Sequence, residues 1–80
     1  MPISAVKLDA TAVDVKVTSD QILVVLADGR ELAAPIAWSP RLAEATAVQR
    51  ENWRLIGRGQ GIHWPDVDED ISVASLLRAG

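Results

Sequence analysis

Ile22-Leu23-Val24-Val25-Leu26-Ala27-Asp28-Gly29-Arg30 is the stretch whose reading decides the fold. The first five residues form an unbroken apolar run, rich in β-branched side chains and too short for a helix, as a strand covered on both faces requires. Asp28-Gly29 ends it. Aspartate tolerates positive φ and glycine adopts it freely, so the pair predicts a type I′ hairpin turn. The return strand then runs over 30–36, with Pro35 near its end, where a missing N–H does least harm. Upstream, Val13, Val15 and Val17 alternate with Asp14 and Lys16 at the period of a half-buried strand, and Thr18-Ser19-Asp20 supplies a turn. The first half is thus a three-stranded antiparallel meander. Residues 1–10 fit either a short strand or an ordered lead-in.

Downstream the period changes. Ser39 can cap a helix that Pro40 opens with its φ already set. Thr46-Ala47-Val48-Gln49 has the form of a capping box, which predicts a broken helix over 40–53 with its interruption near Thr46. Leu55-Ile56-Gly57 and Gly61-Ile62-His63-Trp64 flank Arg58-Gly59-Gln60 and read as a second β-hairpin, ended by Pro65. Ser72 can cap a short C-terminal helix whose buried face carries Val73, Leu76 and Leu77. The fold class is α+β, in a single domain spanning residues 1–80, with the helices laid over one face of the sheet.

Composition narrows the function. The 80 residues include no Cys, Phe or Tyr, so three tryptophans supply all the aromatic volume. Absence of cysteine removes disulfides, thiolate chemistry and Cys-rich zinc sites, and fits a cytoplasmic protein. There is no signal-peptide pattern and no apolar run long enough to span a membrane. A net charge of −3 argues against a dedicated nucleic-acid binder.

The chemistry-bearing residues gather late in the chain. His63 is the only side chain with an ordinary pKa near neutrality, but no serine or cysteine nucleophile sits in a motif around it. Asp66, Asp68, Glu69 and Asp70 lack the spacing of a calcium loop, and carboxylates ahead of a helix are accounted for by its dipole. Gly57, Gly59 and Gly61 precede a strand rather than a helix, so they do not make a phosphate loop. Trp53 and Trp64 read as core, whereas Trp38, just before Pro40, reads as partly exposed. Residues 41–58 hold four arginines against two glutamates, about +2, and the acidic stretch 66–70 carries about −4. The asymmetry suits pairing of Arg41 or Arg54 with the acidic stretch, and equally suits steering of a protein partner.

Several of these segments recur together in one known family. Asp28-Gly29-Arg30, Trp38-Ser39-Pro40-Arg41-Leu42, Asn52-Trp53, and Gly61-Ile62-His63-Trp64-Pro65 followed by Asp68-Glu69-Asp70-Ile71 resemble the bacterial domain of unknown function 2442. The resemblance covers most of the chain from about residue 20. It departs at Ser39, where the family usually has an aromatic. Members are often encoded beside small toxin-like proteins, and some carry an appended helix-turn-helix. The resemblance therefore implies an antitoxin-like or regulatory protein partner. With the chain ending at Gly80 there is no room for such a helix pair, so the expected target is protein rather than operator DNA.

The expectation is a non-catalytic protein-interaction module without a cofactor or metal. Its candidate partner-binding residues are Trp38, Arg41, His63, Trp64, Asp66, Asp68, Glu69 and Asp70. The alternative is a small ligand-binding or enzymatic domain using His63 and the acidic stretch. A homodimer is also expected. Two short helices can cover only one face of the strand at 22–26, leaving apolar side chains near Ala33 for a second copy unless residues 1–10 fold across them.

Overall fold

A computed structural model describes residues 7–78. The element order begins with a meander: β1 (Ala12–Val17), β2 (Gln21–Leu26) and β3 (Glu31–Pro35) pair antiparallel in that order. Two cross-strand rows, Val15-Val24-Leu32 and Val17-Ile22-Ala34, set its inner face. Lys16-Leu23-Ala33 and Asp14-Val25-Glu31 set the outer one. Ile22, Val24 and Leu26 are buried, while Leu23 and Val25 are half-buried, so β2 is closed on one face and partly covered on the other. Ala33 is exposed.

Two local expectations are corrected. Strict alternation would bury Val13, but the register slips between Ala12 and Asp14. That β-bulge turns Val13 outward, 53% exposed, and lets Ala12 enter the core instead. The β2–β3 turn is not type I′ either. Gly29 (φ +93°) has positive φ, but Asp28 does not, and the Gly29 amide donates to the Leu26 carbonyl at 3.0 Å. Leu26 N–H in turn donates to Arg30 O at 2.8 Å, closing a three-residue loop that ends in a left-handed glycine.

A single 3-10 turn (Ile36–Trp38), not anticipated, leads into α1 (Pro40–Ala43) and α2 (Ala47–Glu51). Both anticipated caps are present: Ser39 Oγ accepts from Leu42 N–H, and Thr46 and Gln49 complete a reciprocal capping box. The second half contains more strand than the sequence announces. β4 (Arg54–Ile56) and β5 (Gly61–Trp64) form the expected hairpin, and β6 (Glu69–Ser72) adds to β5, giving a second antiparallel sheet in the order β4-β5-β6. The acidic stretch is therefore half turn and half strand. Ser72 Oγ accepts from Ser75 N–H at the start of α3 (Val73–Arg78). Val73 is buried and Leu76 packs on the core, but Leu77 is exposed rather than buried.

The core lies between the two sheets. Ala12, Val15, Ile22, Val24 and Leu26 meet Leu42 of α1, Ile62 and Trp64 of β5, and Val73 of α3. The inner face of the meander is thus covered jointly by the helices, α2 against β1 and α3 against β3, and by core side chains of the second sheet. Trp64 is fully buried, and its indole N–H donates to the Arg50 carbonyl at 3.1 Å, so the largest core side chain leaves no polar atom unpaired. Residues 1–6 of the ambiguous lead-in lie outside the described residues. Beyond them, Asp9 and Thr11 bond to residues 27–28 without forming a strand.

Candidate functional site

β6 decides where the candidate residues go. Alternation along β5 and β6 sends Ile62, Trp64, Glu69 and Ile71 to the inner side, and His63, Asp70 and Ser72 to the outer. His63 and Asp70 are direct cross-strand partners, and His63 Nδ1 lies 2.5 Å from Asp70 Oδ1. Arg54 stands across from His63 on β4, so Arg54, His63 and Asp70 form one row on the outer face.

On the inner side, Glu69 reaches the start of α1. Its Oε2 accepts from Ser39 Oγ at 2.6 Å, and its Oε1 accepts from the Asp70 amide at 3.0 Å. Ser39 is only 2% exposed, yet its hydroxyl is fully used: it donates to Glu69 and accepts from Leu42 N–H at 3.3 Å. One hydroxyl thus joins the first helix to the last strand.

The turn between β5 and β6 is held from the helical side. Asn52 Nδ2 donates to Asp66 at 3.0 Å. Arg41 donates to the Asp68 carbonyl, its guanidinium lying 4.0 Å from a carboxylate that remains largely in solvent. Asp68 itself takes a left-handed conformation, φ +53°, which aspartate tolerates better than most residues. Arg50 is engaged too: its guanidinium donates to the Leu42 and Ala43 carbonyls at 2.9 Å each, completing the C-terminus of α1.

Of the eight candidate residues, seven therefore surround β6 and its turn, and Trp64 lies beneath them with no surface to offer. Trp38 is 51% exposed and borders a groove of about 320 Å³ with Ser39, Glu69, Asp70 and Ile71. His63 meets Asp70 but does not line that groove. Among the described residues, no group of three or more His, Asp or Glu is placed to hold a metal ion. No helix among them is long and apolar enough to cross a membrane.

A family model described as protein of unknown function DUF2442 matches residues 12–80. The chain belongs to the DUF2442 family. Two solved structures share the DUF2442 fold seen here. A protein of unknown function from Rhodospirillum rubrum superposes with a TM-score of 0.75 at 27% identity, over 86% of each chain. An uncharacterised protein from Chromobacterium violaceum, solved by NMR, gives 0.72 at 27% identity, over 85% of this chain and 64% of its own. No curated protein matches.

Sequence reasoning missed two features of this DUF2442 surface. The first is the Ser39–Glu69 bond across 30 residues, although the cap itself was legible. The second is a larger groove of about 570 Å³ on the other side of the second sheet, lined in part by Ile56, Gly61, Ser72 and Leu77. Its signal was the misassigned Leu77, apolar at a helical spacing but exposed.

Proposed function

We propose that this DUF2442 domain is a non-catalytic protein-interaction module. One observation carries the reading: the side chains able to do chemistry are bonded to one another across the fold. His63 meets Asp70, Glu69 meets Ser39, Asp66 meets Asn52, and Arg41 meets the Asp68 carbonyl. Such contacts join β5 to β6 and the helices to the β5–β6 turn. Beside them stand apolar side chains open to solvent, including Trp38, Ile56 and Leu77, the kind of surface a partner covers. The finer reading is a cytoplasmic, antitoxin-like or regulatory domain acting on a small protein encoded nearby, with Trp38, Arg41, Asp66 and Asp68 at the contact.

The test is crosslinking of the tagged chain in its native host, combined with expression of the neighbouring gene alone. The expected result is a stoichiometric protein partner, lost with Trp38→Ala while the circular dichroism spectrum is kept. A neighbour that is harmless alone and does not bind removes the antitoxin-like reading.

The 2.5 Å His63–Asp70 contact favours one second reading, a small ligand-binding or enzymatic site in which Asp70 orients the imidazole. That reading requires a turnover or ligand response that His63→Gln abolishes in a protein that stays folded.

A further inference from the structure

Four arginines lie between residues 41 and 58, and they divide into two kinds. Arg41 and Arg50 donate to backbone carbonyls of the turn and of α1. Arg54 and Arg58 form no ion pair among the described residues and are exposed. Both flank the same element. β4 is one of the two edge strands of the second sheet, and Arg54, Leu55 and Ile56 are all exposed. An edge strand presents unpaired N–H and C=O groups along its free side and is a template for another strand. Its only blunting devices here are its shortness and the two positive charges.

The surroundings are built for more than a bare edge. Ile56 lies over Gly61, where a Cβ would stand 3.1 Å from the Ile56 side chain, and the two form the floor of the 570 Å³ groove. Leu77 of α3 forms a wall. Arg58 is held in a left-handed conformation, φ +58°, that costs a non-glycine residue about 1–2 kcal/mol. Arg58 stands exposed two residues beyond the end of β4, next to Gly57 of the groove lining, so its charge lies close to the edge in the chain.

We infer that the open edge of β4 takes an extended, acidic peptide segment of a partner protein as a fourth strand of the second sheet. An apolar side chain of that segment enters the groove at Ile56 and Leu77, and its carboxylates meet Arg54 and Arg58. This rests on the interaction-module reading and adds to it a second contact surface, separate from the one at Trp38, with the class of partner segment it takes. Charge selects the occupant. A second copy paired β4 to β4 across a two-fold axis would bring both arginine pairs onto one seam, and like charges opposed across strands destabilise the pair. A second copy offering its acidic β6 instead makes a head-to-tail contact, which yields rings or filaments rather than a two-fold dimer.

The test titrates the full isotope-labelled chain with a short blocked peptide of alternating glutamate and valine, and with its lysine–valine counterpart, following backbone amides by NMR. The acidic peptide should move the amides of residues 54–56 and Leu77, and the lysine peptide should leave them unmoved. Arg54→Gln with Arg58→Asn should weaken binding about threefold to thirtyfold, since each exposed ion pair contributes modestly. Asparagine suits the left-handed position, so the variant stays folded. Shifts centred elsewhere, equal shifts from both peptides, or no shift at β4 at millimolar peptide would overturn the proposal. A native partner crosslinked equally by wild type and this variant sinks the β4 edge but keeps the interaction module. If neither crosslinks a partner, the module reading falls as well. A mass that rises with concentration in the absence of peptide, with the amides of residues 54–56 shifting alongside it, assigns the edge to a second copy and overturns the inference.

Discussion

Ser39 carries more of the fold than its size suggests. Its hydroxyl caps α1 and holds Glu69 at 2.6 Å, with the serine itself buried and the carboxylate half-buried. Ser39→Ala removes the cap and leaves the Glu69 carboxylate short of a donor, so the expected loss is about 1–3 kcal/mol by urea unfolding. A cost no larger than a few tenths would mean that the bond does not link the two halves. Asp28 offers a test by pH. Its carboxylate is pushed down to about 2, first by the Arg30 side chain, then by the amides of Arg30 and Asp9. Although it sits at the rim of the molecule, those donors close off its side chain. Its ordinary value is 3.8, so the stability it contributes is present above that and is lost as pH falls toward 2. Urea midpoints of wild type and Asp28→Asn should therefore differ at pH 6 and converge on acidification through that window. The Ser39 cap was legible in the sequence because capping is local; the Glu69 bond was not, because nothing local encodes a contact 30 residues away.

At the scale of elements, local chemistry was read well wherever it was self-contained. The Thr46–Gln49 capping box, the Pro40 start and the Ser72 cap need only neighbours three or four residues away. β6 was hidden because Asp66, Asp68, Glu69 and Asp70 read as a solvated loop; pairing with β5 overrides that low strand propensity. The bulge at Val13 was hidden for a related reason, since an alternating pattern carries no mark of the residue that breaks it. Gly59 shows what the tertiary structure demands of one turn: a Cβ there would stand 2.8 Å from the Ala12 carbonyl oxygen, and its φ is +83°. Gly59→Ala should cost more than the ordinary point mutation, about 2 kcal/mol or beyond, and expose the bulge. Amide exchange at residues 12–15 as slow as in wild type would show that the loop and β1 are not packed as described.

At the scale of the molecule, two small sheets share one core, and Trp64 is its largest fully buried side chain. Trp64→Ala should cost about 3–5 kcal/mol, a large part of what a domain of this length possesses, so the variant should be mostly unfolded at ambient temperature. A cooperative thermal transition near that of wild type would contradict the position of the core. The homodimer expected through the outer face of the meander, where Leu23 and Val25 are half-buried and Ala33 is exposed, is open to a direct test by mass. Sedimentation equilibrium at micromolar concentration distinguishes the 8.6 kDa chain from twice that mass. The central claim is that the cluster around His63 and Asp70 holds the second sheet together and leaves function to the exposed surface. A urea-unfolding double-mutant cycle with His63→Ala and Asp70→Ala tests it most directly. The account predicts that each substitution destabilises, with a favourable coupling of about 0.5–1 kcal/mol between them. Substitutions that leave stability unchanged or raise it, as removal of strained catalytic groups does, would contradict it.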